Sequence, residues 1–395
     1  MRPGQYTITR DDVHRHTSHR LLTHLKLPAR SRRCPPALLV DLVLLAAARL
    51  CSLFAATRRL AGVPSDQTVR STLAGSLPDR DTLERRLNRA LADGLPRALV
   101  GTRQPLALDL TLRPYHGQPQ DDPAEVYRSK AKGGTSHFHA YATVYLVRKG
   151  RRFTLGLTWV RKGEPLAGVI RRVLRAAGQA GVRPRYVLLD REFCSVDVVR
   201  YLQAGRHPFL MPLPLRGRPP EHPAGPSGSR VFAAATRSGW GTYTMANAAG
   251  RRATVGVCIK CRNWRGERGR HGRQRLVYAF WGLTPPSVEW VRQAYRSRFG
   301  IETSYRQMNQ AKVTTSTRDP LVRLFLVGVA LVLRNVWVWL HWEHLSMPRR
   351  GGRAVRLERL RFKTLLLWLQ HVVEAAFGVV DETDTDRPRL QPVAA

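Results

Sequence analysis

Acidic residues are scarce in this chain of 395 residues: 28 Asp and Glu stand against 66 Lys and Arg, leaving a formal net charge of +38. A charge so poorly compensated argues against a self-contained, balanced surface. It points to a polyanionic partner whose binding relieves the repulsion, and a nucleic-acid backbone fits better than an anionic membrane. Lysine is scarce too, at eight of the 66 basic residues. A GC-rich coding sequence accounts for the arginine bias but not for the missing acids. Cysteine numbers only five, an odd count in a long chain without an evident secretion signal, which argues against a disulfide scaffold and for a reducing cytoplasm. Cys258 and Cys261 have the spacing of a zinc half-site. No second close pair completes it, and recruiting His271 has little to recommend it, so free thiols are expected.

Long unbroken apolar runs are missing as well. The stretch from Leu321 to Leu340 is interrupted by Arg323 and Arg334, with ten uncharged residues between them, against the roughly 20 that a spanning helix needs. The stretch from Ala37 to Ala56 contains Asp41 and Arg49 and begins too far from Met1 to be the apolar region of a signal peptide. Both read as buried helices, and no internal repeat is evident. With 43% hydrophobic residues the chain can fill real cores, and its length allows two or three domains.

Three carboxylates stand out in so basic a chain. Asp109 and Asp190 each follow an apolar run, Leu106 to Leu108 and Val187 to Leu189, that reads as a buried strand, so each acid emerges at or near a strand end. Glu302 falls in a helical stretch where Tyr295, Arg298, Glu302, Tyr305 and Arg306 recur at steps of three or four residues and stack along one face. Three acids from distant positions can hold a pair of divalent metals for in-line phosphoryl displacement. Plainer roles exist for two of them. Asp190 could cap the helix that Val196 to Leu202 suggests, and Glu302 could be a solvated residue paired with Arg298 or Arg306. Asp109 has no such role, because an unpaired acid in an apolar strand is costly to bury.

The words around these acids resemble the DDE transposases of bacterial and archaeal insertion sequences, in the branch with a Tyr-x2-Arg-x3-Glu signature. Tyr295, Arg298 and Glu302 match that spacing within YRSRFGIETSYRQMNQ. DLTLRPYHG follows the first acid, SHFHAYATVYLVRKGRRFTLGLTWV lies between the first two, and LLDREFCSVDVVRYL surrounds the second. The resemblance covers roughly residues 105 to 345. It implies an α/β, RNase H-like (retroviral integrase-like) catalytic core in which Asp109, Asp190 and Glu302 bind two Mg2+ ions, with Mn2+ able to substitute. Such a core cuts and rejoins transposon ends by cut-and-paste DNA transposition. The signature's final lysine is expected seven residues after the glutamate, where Asn309 stands, and Arg306 or Lys312 could supply that charge. The implied partners are terminal inverted repeats and target DNA, bridged by a dimer in the DNA complex, with no membrane. The implied location is the prokaryotic cytoplasm, on the nucleoid.

The chain divides accordingly. Residues 1–104 read as a separate helical N-terminal domain. One helix runs from about Asp66 to Ala74, capped by Ser65 and stopped by Gly75; the next starts after Asp81, in a capping-box pattern with Glu84, and presents Arg85, Arg86 and Arg89. That pair could be a helix-turn-helix reader of terminal repeats or a simple helical pair with a solvated basic face. Residues 105–213 form the first part of the core: the Asp109 strand, two strands around 137–160, an amphipathic helix around 165–180, and the strand to Asp190. Arg128, Lys130 and Lys132 fall in a flexible loop between strands, suited to a DNA backbone or simply solvated. Pro and Gly crowd 214–228, so residues 214–275 read as an inserted β-subdomain with runs RVFAAAT, GTYTMA and ATVGVCI. Trp264 there could stack on a base, whereas Trp240 reads as core. Residues 276–345 complete the core with the glutamate helix. Residues 346–395 hold a helix from about Val355 to Phe377, basic at its start, and a polar, disordered tail. A metal-dependent nuclease of the same fold that cuts without joining, or a catalytically inactive DNA-binding protein, are the alternatives.

Overall fold

The computed structural model describes residues 7–119, 122–148, 152–265, 271–350 and 352–381; most of the expected polar tail lies outside them. Five helices come first: α1 (Arg10–Leu25), α2 (Pro36–Ala48), α3 (Leu53–Arg59), α4 (Asp66–Ser76) and α5 (Arg80–Ala92). The apolar stretch expected as one buried helix is two, α2 and α3, bent 103° apart. The break lies at Leu50 in the left-handed region (φ 55°), and Ser52 starts the new helix by accepting the Ala55 N–H.

Strands follow: β1 (Arg103–Pro114), β2 (Tyr127–Lys132), β3 (Thr135–Leu146) and β4 (Thr154–Val160), then α6 (Leu166–Gln179), β5 (Arg183–Leu188), α7 (Val196–Ala204), β6 (Phe209–Pro212), β7 (Gly239–Ala246), β8 (Arg252–Arg265) and β9 (His271–Trp281). All nine strands share one sheet. β1 pairs antiparallel with β3 and parallel with β5, and β5 pairs parallel with β6. β2 and β4 share the outer edge of β3, β2 along residues 135–138 and β4 along 140–145. From β6 the sheet continues antiparallel through β9, β8 and β7. The strands expected as an inserted subdomain are therefore an extension of the core sheet, because β9 hydrogen-bonds directly to β6. RVFAAAT is not a strand: residues 228–234 form a 3-10 turn.

The chain ends with α8 (Val288–Arg296), a 3-10 turn at Ser297–Phe299, α9 (Gly300–Met308), α10 (Pro320–Leu340), a small hairpin of β10 (Met347–Arg349) and β11 (Gly352–Ala354), and α11 (Phe362–Phe377). The last helix starts later than its pattern suggests, so Arg356, Arg359 and Arg361 precede it rather than forming its face. α10 is long and apolar enough to cross a membrane, but most of it is buried inside this protein.

The N-terminal helices are not set apart from the sheet. Residues of α1, α2, α4 and α5 join α10, α11 and the strands in one buried apolar cluster. α5 and α10 seal the outer edge of β4, whose backbone would otherwise be left unpaired. Asn88 donates to the Leu157 carbonyl (3.0 Å) and accepts its N–H (2.7 Å), as a neighbouring strand would. Glu84 accepts from the Trp159 N–H and the Thr158 hydroxyl, and fully buried Asn335 does the same service for Thr154. Glu84 is thus a sheet ligand and not the end of a capping box; Asp79 caps α5. The expected reader helix has one face committed to the sheet. Arg85 and Arg89 stay exposed on the other, while Arg86 donates to the carbonyls of Leu25 and Lys26.

Candidate active site at the fork between β1 and β5

β1 and β5 run side by side only as far as the Ala107 and Leu188 pair. Two residues further on each strand stand Asp109 and Asp190, where β1 continues with β3 and β5 ends. The strands part beyond the carboxyl end of β5, the usual place for a site in such sheets. Asp190 does not cap α7, because Ser195 does so by accepting the Val198 N–H. Its carboxylate instead accepts the Arg191 N–H at 2.7 Å.

Helix geometry brings Tyr295 and Arg298 to the two acids. Arg298, 5% exposed, lies between them, with Nη1 3.5 Å from Asp109 Oδ2 and Nη2 3.4 Å from Asp190 Oδ1. The Tyr295 hydroxyl donates to Asp190 Oδ1 at 3.3 Å, and its ring lies under the guanidinium. Tyr305 reaches the same place from α9: its hydroxyl bonds Thr143 Oγ1 at 2.7 Å and donates to the Asp109 carbonyl at 3.3 Å. Tyr145 holds the backbone turn by donating to the Arg298 carbonyl at 2.6 Å. Burial pushes the Asp109 carboxyl up to about 7; the Arg298 charge pulls the other way, and Asp190 and Glu192 add to the rise. Burial likewise raises the Tyr295 and Tyr305 phenols, which remain neutral donors.

Glu302 lies one turn after Arg298 and one before Tyr305, but its side chain is exposed. It pairs with neither Arg298 nor Arg306, so the surface ion pair open to it does not form. The helical face is less regular than its spacing implies, since the 3-10 turn separates α8 from α9. Among the described residues no three acidic, His or Cys side chains stand close enough together to hold a metal. Asp109 and Asp190 do fit a shared cation, because both already face one guanidinium and offer the hard oxygen atoms that Mg2+ and Mn2+ prefer. Glu302 is a third oxygen donor, on α9, not gathered to the other two.

Arg306 is exposed on α9, Lys312 is exposed beyond it, and Asn309 accepts from Arg113 Nη1 at 2.6 Å. A cation from β1 thus stands beside the position where the resemblance expects lysine. Arg128, Lys130 and Lys132 are not in a loop: they alternate along edge strand β2, exposed on one face. Trp264 lies on β8, with its side chain outside the described residues. Trp240 is 48% exposed on edge strand β7, touching Phe280 edge-on, so it is not core. Cys258 and Cys261 face opposite sides of β8 as free thiols. Thr143, Tyr145 and Glu192 were missed by sequence reasoning. Only Glu192 carried a signal, an acid two residues after Asp190.

No protein-family model matches the chain, and no curated protein matches it. Among solved structures, the cryo-EM structure of a piggyBac transposase synaptic complex with hairpin DNA superposes with a TM-score of 0.50 at 10% identity, covering 85% of this chain and 70% of that one. The likeness is one of fold. It extends over the helical layer as well as the sheet, since a match of that coverage cannot be confined to the strands.

Proposed function

We propose that this chain is a DDE transposase that cuts DNA at the ends of an insertion sequence and joins the freed ends to target DNA. The observation that carries the reading is the convergence of Asp109, Asp190 and Arg298 at the β1–β5 fork, Arg298 standing on the 3-10 turn that leads into the helix bearing Glu302. The strand order β4-β3-β1-β5-β6, antiparallel for three strands and parallel for the rest, supports an RNase H-like core, and the fold likeness to a transposase agrees with it. The net charge of +38 supports DNA as the partner.

In this reading Asp109, Asp190 and Glu302 hold Mg2+ or Mn2+, which when bound would activate the attacking oxygen and stabilise the leaving oxygen of an in-line displacement. The chain's own residues prepare that chemistry. Asp109 would hold a cation only as the carboxylate, the form that burial opposes and the Arg298 charge favours. Arg298 and Tyr295 then exchange the carboxylates for phosphate oxygens, the arginine as a two-pronged donor and the phenol as a neutral one. Tyr305 and Thr143 fix the backbone of Asp109, so that its carboxylate keeps its direction while its partners change. Water is the first nucleophile and the freed 3′-hydroxyl the second, directed at the opposite strand or at target DNA.

The test is a cleavage and strand-transfer assay on DNA carrying the element's own ends, with Mg2+ or Mn2+, comparing the wild type with Glu302→Gln. Joined products that vanish in the variant are expected. Nicked products that never join would move the assignment to a nuclease, and binding without any cleavage to a DNA-binding protein.

A further inference from the structure

Beyond the acid pair, a cavity of about 280 Å³ opens between the end of β1, the segment after α9 and the start of α10. Its basic side chains are Arg113, His116, Lys312 and Arg323, and no Asp or Glu lines it. Arg113 Nε is buried with no hydrogen-bond partner, although Nη1 is held by Asn309. Arg323 is held in place by the Thr317 carbonyl (2.7 Å) and by stacking 4.7 Å over the Tyr115 ring. Burial and the neighbouring charges of Arg113 and Arg323 pull the Lys312 ammonium down. His139, beside Arg113 across the β1–β3 ladder, is kept neutral to about 4 by burial and by Arg323, and adds no charge.

Cations gathered without a counter-charge, one of them with an idle buried donor, are costly unless an anion joins them. We propose that this cavity binds a backbone phosphate of a DNA strand that also passes through the β1–β5 fork. Arg113 follows Asp109 by four residues on the same face of β1, roughly 13 Å along an extended strand, so the two places can grip one strand a few nucleotides apart. A strand is favoured over a free phosphate because the cavity does not end there. A second cavity of about 380 Å³ shares Val313, Thr314, Thr315 and Leu326 with it and continues to Arg70 and Ser71 of α4. The one acid there, Asp319, is occupied in capping α10.

The inference rests on the transposase reading for the identity of the polymer, and its test needs no catalysis. The full chain carrying Glu302→Gln is acylated at its lysines, read one by one by mass spectrometry, alone, with single- or double-stranded DNA, and with inorganic phosphate. Lys312 is expected to be protected several-fold by DNA, while Lys363, likewise exposed but on α11, is not. In a binding titration, Lys312→Met should make the slope of log affinity against log salt shallower by about 0.9, the contribution of one phosphate contact. Unchanged Lys312 reactivity in saturating DNA, or an unchanged slope, would overturn the proposal, as would protection by phosphate alone. A protein that never cleaves yet protects Lys312 would overturn the catalytic reading and leave this one standing; cleavage with Lys312 unprotected would do the reverse.

Discussion

Replacing Asp109 by Asn should reverse part of the pH dependence of stability. A carboxyl that ionises near 7 in the folded chain, against 3.8 when unconstrained, holds more proton folded than unfolded throughout that interval. Stability contributed by this group is therefore full below about pH 4 and is lost as pH rises to about 7. Three pH units at 1.36 kcal/mol each give on the order of 4 kcal/mol as the largest loss. Two histidines act oppositely: His16 and His139, both lowered to about 4 by burial, make stability rise between roughly pH 4 and 6.5. The informative quantity is thus the difference between wild type and Asp109→Asn, in which the histidine contributions cancel. Urea midpoints measured from pH 4 to 8 should show the variant gaining on the wild type as pH rises, by a few kcal/mol once multiplied by the common slope. At pH 8, Mg2+ or Mn2+ should raise the wild-type midpoint by mass action and leave the variant unmoved. Parallel pH curves for the two proteins would refute the claim that burial raises this carboxyl against the pull of Arg298 and the Leu110 N–H.

Other expectations are quicker to check. Asn335→Ala leaves the Thr154 N–H and carbonyl and the Leu91 carbonyl without the bonds they make now, and should cost about 3–9 kcal/mol in urea unfolding, since each of the three unmet buried groups costs about 1–3. Gly156→Val places a Cβ 2.7 Å from the Ala176 Cβ; neither backbone element can yield locally, so a loss of about 1–3 kcal/mol is expected by the same measurement. Glu302→Gln, at an exposed position, should shift stability by less than about 0.5 kcal/mol while abolishing strand cleavage and sparing DNA affinity in a gel-shift titration. Arg298→Met should weaken cleavage and destabilise the fold together, because it strips two partly buried carboxylates of the one cation they share; a variant of normal stability would show that the pair is not needed to hold the fork.

Much of this protein is legible from local pattern. Apolar runs marked β1 and β5, alternation marked β3 and β4, and the amphipathic period marked α6, because burying a face imposes its own periodicity on a segment of either type. The candidate acids were legible for the same reason in reverse: Asp109 contradicts the apolar strand around it. The shortage of acids raised the expectation of a polyanionic partner without any geometry, since net charge is a sum. Tertiary structure alone decided the rest. Whether β7 to β9 formed their own sheet depended on the pairing of β9 with β6, a contact some 70 residues apart in sequence that no local pattern encodes. The role of Glu84 depended on β4 arriving beside α5. Arg298 becomes the shared partner of two strand-end acids, and Arg113, Lys312 and Arg323 become one cavity, only when distant segments are folded together. A sequence states which side chains carry charge; how much that charge costs, and therefore what it must bind, is set by the burial and the neighbours that folding supplies.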